Sequence, residues 1–230
     1  MTAEFNKEAR TPARVEMERN FFEAVRNGYT DAVDDMIRIE PSVVHWHDDD
    51  GLTALMIAAT NGNVDLVEVL LDQQADANVV NKNRSTALMF AAYHGHRRIV
   101  DLLIQHGADV NALNVNGSTA LMSAAWQGHG AVVVQLMDAY ADPDIKDAEG
   151  ITAAGHAKAQ KHPELTQLLL VRPAAEKRPQ PAVKAPDVVQ ETAEVPVETP
   201  AEAEEKSRQV AASKKKMADF TERLKKGGLI

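Results

Sequence analysis

The chain has no cysteine, and only 4% of its 230 residues are aromatic. Without cysteine it can form no disulfide bond, thiolate metal site or cysteine nucleophile, which suits a reducing compartment. No apolar stretch approaches the roughly 18 residues that a membrane-spanning helix needs. The N-terminal residues also lack the apolar core of a secretory signal. We therefore expect a cytoplasmic protein whose core is built mainly from small aliphatic side chains.

Positive charge is scarce over most of the chain. Residues 1–171 carry 13 Lys and Arg against 24 Asp and Glu, a net charge of −11, whereas residues 206–230 carry 8 against 2, a net charge of +6. An acidic surface repels the phosphate backbone of nucleic acids. The sequence therefore predicts no nucleic-acid binding by the acidic part.

One segment recurs at a fixed spacing. LTALMIAATNGN begins at Leu52, STALMFAAYHGH at Ser85 and STALMSAAWQGH at Ser118, so the copies are 33 residues apart. Such a period predicts a solenoid, in which each unit buries its apolar face by stacking on its neighbours. In each copy a threonine can cap a short helix and a glycine can end it, and an apolar second helix follows. The pattern predicts an all-α array of helix pairs.

These copies resemble the ankyrin repeat, which has a 33-residue period and a T-P-L-H-x-A motif. Alanine replaces the motif proline and methionine replaces the motif histidine at Ala54, Ala87, Ala120, Met56, Met89 and Met122. A glycine before the closing turn is kept as Gly107 but becomes Gln74 and Tyr140 in the flanking copies. Because this turn needs a left-handed residue, we expect strain or a changed turn at those two positions.

The resemblance and the composition together divide the chain into eight segments. They are a flexible N-terminus (1–16), an N-terminal capping repeat (17–47), three ankyrin repeats (48–80, 81–113 and 114–146), a degenerate C-terminal capping repeat (147–171), a disordered linker rich in proline, glutamate and alanine (172–205), and a basic amphipathic tail (206–230). The linker holds six of the ten prolines and no aromatic residue, so it cannot bury enough surface to fold.

The basic tail has its own apolar pattern. Met217, Phe220 and Leu224 recur at helical spacing among lysines, which predicts a short basic amphipathic helix. Three roles are open to it: a solvated helix without a partner, a segment that docks on a partner or on the acidic repeats, and a segment that binds an anionic membrane surface.

The resemblance implies a protein-binding surface formed by the short first helices and the tips of the extended loops, which we call fingers. The candidate residues vary between repeats and are Asp49, Asp50, Leu52, Thr60, Asn61, Lys82, Asn83, Ser85, Tyr93, His94, Leu113, Val115, Asn116, Ser118, Trp126 and Gln127. A weaker pair, Ala159 and Gln160, follows in the last repeat. Tyr93 and Trp126 suit binding hot spots and could form one aromatic patch. The alternative is that both rings pack on neighbouring repeats for stability.

Several histidines crowd one repeat, which raises the possibility of a metal site. However, His96, His129 and His162 lie 33 residues apart, so they follow the repeat rather than a ligand pattern. No catalytic set or phosphate-binding loop stands outside the repeats, and we expect no catalytic residue, metal or cofactor. The sequence predicts a monomeric, non-enzymatic adaptor that binds a protein partner. The alternative is a secreted effector or targeting protein whose basic tail is an export, membrane or localisation signal.

Overall fold

The computed structural model describes residues 12–171, with side chains from Arg14 onward, and this part of the chain is all-α, as predicted. Its helices are α1 (Pro12–Asn27), α2 (Thr30–Ile39), a short 3-10 helix (Pro41–His45), α3 (Ala54–Asn61), α4 (Val64–Asp72), α5 (Ala87–His94), α6 (Arg97–Gln105), α7 (Ala120–Gln127), α8 (Gly130–Asp138), α9 (Ala153–Ala159) and α10 (Pro163–Val171). No helix within 12–171 has the length and apolar character to cross a membrane. The predicted linker and basic tail lie outside the described residues.

The helices form two layers. The first helix of each pair packs on the first helices of the neighbouring pairs, in the order α1, α3, α5, α7 and α9, while α2, α4, α6 and α8 form the second layer. Paired alanines let the first helices approach closely, and they are completely buried at Ala58, Ala59, Ala91, Ala92, Ala124 and Ala125. Neighbouring first helices pack on each other more extensively than neighbouring second helices do. We call the first layer the concave layer, after the concave face that the resemblance to ankyrin repeats implies.

The short first helices α3, α5, α7 and α9 each follow a threonine N-cap, and α3, α5 and α7 are each followed by a glycine, as the repeat predicts. The threonine hydroxyl accepts a hydrogen bond from the backbone N–H three residues later in every copy, at 3.3 Å from Met56, 3.4 Å from Met89, 3.2 Å from Met122 and 3.4 Å from Gly155. Gly62, Gly95 and Gly128 end α3, α5 and α7 in the left-handed conformation. These local contacts explain why TAL and G recur so strictly.

The core lies between the two layers. Leu55, Leu88 and Leu121 from the first helices are at most 2% exposed. The second helices contribute further buried aliphatic side chains, namely Leu66, Leu70, Ile99, Leu103 and Leu136. Aliphatic packing of this kind fills the core with few aromatic rings.

The closing turns tolerate residues other than glycine. Gly107 has a φ of 80°, and Gln74 and Tyr140 adopt nearly the same conformation, with φ values of 64° and 66°. The turn geometry is therefore kept, and the strain expected of left-handed non-glycine residues falls on these two backbones.

The N-terminal boundary differs from the prediction. Helix α1 begins at Pro12, inside the segment 1–16 that was expected to be flexible. Proline suits the first turn of a helix because its φ is already helical and its missing N–H would be unpaired there. Further along α1, Phe21 and Val25 are fully buried. The ranges 48–80, 81–113, 114–146 and 147–171 each contain one helix pair.

Candidate functional site

The fingers are joined edge to edge by backbone hydrogen bonds. The N–H of Lys82 donates to the carbonyl of Asp50 at 3.4 Å, the N–H of Val115 to Asn83 at 3.0 Å, and the N–H of Ala148 to Asn116 at 2.8 Å. The predicted finger residues therefore lie in one continuous row, next to the concave layer of first helices.

Inside each finger one side chain holds the turn. The Oδ1 atoms of Asp48, Asn81, Asn114 and Asp147 each accept hydrogen bonds from the backbone N–H groups two and four residues later. Such contacts are typical of aspartate and asparagine in tight turns. The fingers are thus held by their own side chains, and their tips keep a fixed shape.

Most of the predicted partner-binding residues are exposed. The exposed set is Asp49, Asp50, Asn61, Lys82, Asn83, Tyr93, His94, Leu113, Val115, Asn116, Trp126 and Gln127. The other four are partly buried, and their polar groups take part in local structure: the N–H groups of Leu52, Ser85 and Ser118 donate within the finger turns, and the Thr60 hydroxyl donates to the carbonyl of Met56. These four side chains are therefore less exposed than the other twelve.

Tyr93 and Trp126 lie at the C-terminal ends of α5 and α7, where they remain 42% and 40% exposed. Each ring also has a neighbour within the chain. The Tyr93 ring lies 5.2 Å from the His94 ring, and the Trp126 ring lies 5.6 Å from the His156 ring, both edge to face. Within residues 12–171 no direct ring contact joins Tyr93 to Trp126, so the two aromatics form separate anchors on one surface.

His156, the histidine that contacts Trp126, also makes a contact that the repeat pattern did not reveal. The Nε2 atom of His156 lies 2.7 Å from the Oδ2 atom of Asp147, which links α9 to the last finger. Desolvation acts to raise the pKa of Asp147, but hydrogen bonds from the Ile151 backbone, the His156 ring and the Glu149 backbone outweigh it and lower that pKa. The Asp147 carboxylate is thus ionised at neutral pH. It holds the His156 ring, which the Trp126 ring contacts edge to face.

The other histidines have structural contacts. The Nε2 atoms of His96 and His129 lie 3.2 and 3.0 Å from the carbonyl oxygens of Thr60 and Tyr93, one repeat earlier. Partial burial, followed by the charges of His96 and His129, lowers the pKa of His94, which favours its neutral form. Within the described residues no group of three or more histidine, aspartate or glutamate side chains is arranged to hold a metal ion.

Charge is distributed unevenly among the helices of the three central repeats. Helices α3, α5 and α7 contain no aspartate, glutamate, lysine or arginine, whereas α4 alone carries three acidic residues. The fingertips add local charge of both signs, acidic at Asp49 and Asp50 and basic at Lys82 and Arg84. Helices α3, α5 and α7 therefore offer aromatic, imidazole and amide groups, which cost less to desolvate than ionised side chains do.

Sequence reasoning missed Arg84. It is exposed in the second finger and has a φ of 57°, although the other fingers have glycine at this position of the repeat. An arginine in a left-handed conformation is unusual. The signal was present in the sequence, since residues 51, 117 and 150 are glycine and residue 84 alone is not.

A family model described as "Ankyrin repeats (3 copies)" matches residues 21–114 and, in a second overlapping match, residues 73–147. The two matches span residues 21–147, which is more than half of the 230 residues. They include the helices from α2 to α8, three of the fingers and both aromatic anchors. No curated protein matches the chain significantly.

Proposed function

The chain belongs to the ankyrin repeat family, whose repeats are protein–protein interaction modules, and we propose that it binds a protein partner through its concave layer and fingertips. The observation that carries this proposal is the exposure of Tyr93 and Trp126 on first helices that contain no aspartate, glutamate, lysine or arginine. Tyrosine and tryptophan are enriched among the residues that dominate binding energy. The protein then acts as a non-enzymatic adaptor in the cytoplasm.

The geometry favours binding by a rigid surface. The fingertips are held by side-chain and interfinger hydrogen bonds, and Trp126 rests on a histidine that is itself fixed by Asp147. Side chains that are already ordered lose less conformational entropy when a partner binds. The contacts that pack Trp126 on α9 therefore support a role in binding, because they position the ring without burying it.

The chain offers matched variants for a test. Tyr29 lies in the loop before α2, away from the fingers, and is 39% exposed, close to the 42% exposure of Tyr93. The Tyr29→Ala variant thus removes an aromatic ring of similar exposure from another part of the array. Wild type, Trp126→Ala, Tyr93→Ala and Tyr29→Ala would each be immobilised at full length and exposed to lysate of the source cell.

We expect one or more proteins to be retained by wild type and Tyr29→Ala and to be depleted by Trp126→Ala and Tyr93→Ala, as measured by quantitative mass spectrometry. For a purified partner, loss of a hot-spot ring should weaken binding by about 2 kcal/mol, roughly thirtyfold in Kd. Thermal unfolding of the same variants supplies the control. If Trp126→Ala unfolds the protein, or if all four proteins capture the same set equally, the proposal is wrong.

A further inference from the structure

The junctions between the second helices are not equivalent. Between α4 and α6, the Nη2 atom of Arg98 lies 3.0 Å from the Oε1 atom of Glu68, and this ion pair bridges the two helices. One repeat later the corresponding residues are Ala131 and Asp101, which are both shorter. Because Ala131 has no charged group, the same bridge cannot form between α6 and α8. An open groove of about 520 Å³ lies there instead.

The groove combines an apolar surface with charged edges. Ile104, Ala131 and Val134 supply its aliphatic lining, and Val134 remains 38% exposed. The charged groups at the groove are Arg97, Asp101 and Asp138, so negative charge exceeds positive charge by one. Such a lining suits a long side chain that has an aliphatic stem and a cationic end.

A buried polar atom in the lining has no partner. The Nε2 atom of Gln135 donates to the backbone carbonyl of Arg97 at 3.2 Å, and since a carbonyl can only accept, this contact fixes which way the amide points. The Oε1 atom of Gln135 is then left buried without a hydrogen bond among the described residues. A buried acceptor without a donor costs stability. The equivalent residue of the preceding junction is Leu102, so a polar side chain at this position distinguishes the junction between α6 and α8.

We propose that the groove between α6 and α8 binds an arginine side chain of a partner protein. The guanidinium group pairs with the exposed carboxylate of Asp101, whose Oδ2 atom also accepts a hydrogen bond from Gln105, much as Arg98 pairs with Glu68 one repeat earlier. Arginine fits better than lysine because its planar group offers five N–H donors in a fixed arrangement and is less strongly hydrated than an ammonium. This site lies in the second layer, so it is independent of the concave surface proposed above.

The probe for this site is N-acetyl-arginine amide, titrated into full-length 15N-labelled protein and followed by NMR. N-acetyl-citrulline amide is the matched control, since it has nearly the same shape but no charge. We expect saturable shifts of backbone amides in α6 and α8 with the arginine probe. The citrulline probe should bind about three- to fivefold more weakly, the effect expected of one partly exposed charge pair.

Two substitutions locate the binding. Ala131→Arg supplies the missing side chain from within the chain and should abolish the shifts while leaving the protein folded, because it copies the bridge made by Arg98. Asp101→Asn keeps the size of the side chain, removes its charge and should make the arginine and citrulline probes bind equally.

The proposal would be overturned if wild type bound both probes equally, if α6 and α8 showed no saturable shifts, or if shifts there persisted in Ala131→Arg. Trp126→Ala should leave the titration unchanged. Failure at the concave surface and failure at this groove are therefore distinguished by separate variants.

Discussion

At the scale of single residues, Arg84 has a backbone conformation that its side chain disfavours. Its φ of 57° lies in the left-handed region, where the other three fingers have Gly51, Gly117 and Gly150. A residue with a Cβ atom is disfavoured there by roughly 1–2 kcal/mol. Glycine avoids this strain, although it loses more conformational entropy on folding.

Replacing this arginine tests how much strain the finger contains. We expect Arg84→Gly to increase the free energy of unfolding by about 0.5–1 kcal/mol, the gain typical of relieving such a conformation after the entropy of glycine is subtracted. Urea unfolding measures the change. Lys82→Gly in the same finger is the control, since Lys82 has no positive φ, and it should give no gain. A loss of stability in Arg84→Gly would mean that the arginine side chain contributes contacts that exceed the strain.

At the scale of helices and fingers, the contact between Asp147 and His156 fastens a finger to a helix. Asn81 and Asn114 occupy the position of Asp147 in earlier fingers and hold the same turn. An Asp147→Asn substitution should thus keep the turn and remove only the charge that faces His156. We expect it to lower the free energy of unfolding at neutral pH by about 1 kcal/mol, since a hydrogen bond to a charged group contributes roughly 1.5–3 kcal/mol and one to a neutral amide roughly 0.5–1.5 kcal/mol.

The pH dependence follows from the lowered pKa of Asp147 in the folded state. A carboxyl group of this kind stabilises the fold above its unfolded pKa, and the stabilisation is lost as the pH falls through its lower folded pKa. The difference between wild type and Asp147→Asn should therefore be largest near neutral pH and shrink in acid, which urea unfolding at a series of pH values would measure. Asp144→Asn removes an exposed carboxylate at the end of the preceding repeat and should change little at any pH. A difference that is constant with pH would contradict this explanation.

Local contacts explain which elements were predictable from the sequence. The threonine caps, the glycine helix ends and the finger turns each depend on residues only a few positions apart. Because they recur every 33 residues, the sequence repeat indicated them. His156 contacts Asp147 nine residues away and has no equivalent in the other repeats, where Ile57, Phe90 and Ser123 stand. The start of α1 was missed for a similar reason, because no second copy of Pro12 exists to reveal it.

At the scale of the whole array, stability depends on contacts between neighbouring units. Leu88 lies in α5, in the middle of the array, and is 1% exposed. Leu88→Ala should destabilise the protein by roughly 2–5 kcal/mol, because it leaves a cavity between layers that cannot close fully. Tyr93→Ala in the same helix should cost much less, since its ring is 42% exposed. Thermal and urea unfolding would compare the two, and equal losses would show that Tyr93 is a packing residue.

The period of 33 residues made the architecture predictable. It did not make the differences between individual repeat units predictable. A repeat shows what the units share, and sites arise where one unit departs from the others. The groove between α6 and α8 is lined by Ala131, at the position where the preceding unit has Arg98 in an ion pair with Glu68. Recognising it required knowing that Glu68 and Arg98 meet across a junction, which depends on the distance between two second helices.

The placement of the two tryptophans gives the protein its own fluorescent reporters. Trp46 packs on Phe21 near the N-terminal end of the array, with a ring separation of 6.1 Å and with Arg14 over its face. Trp126 stands partly exposed beside His156, near the other end of the array. Emission from the first responds to opening of the N-terminal unit. Emission from the second is accessible to soluble quenchers and responds to events at the concave surface, so one unlabelled chain reports separately on its two ends.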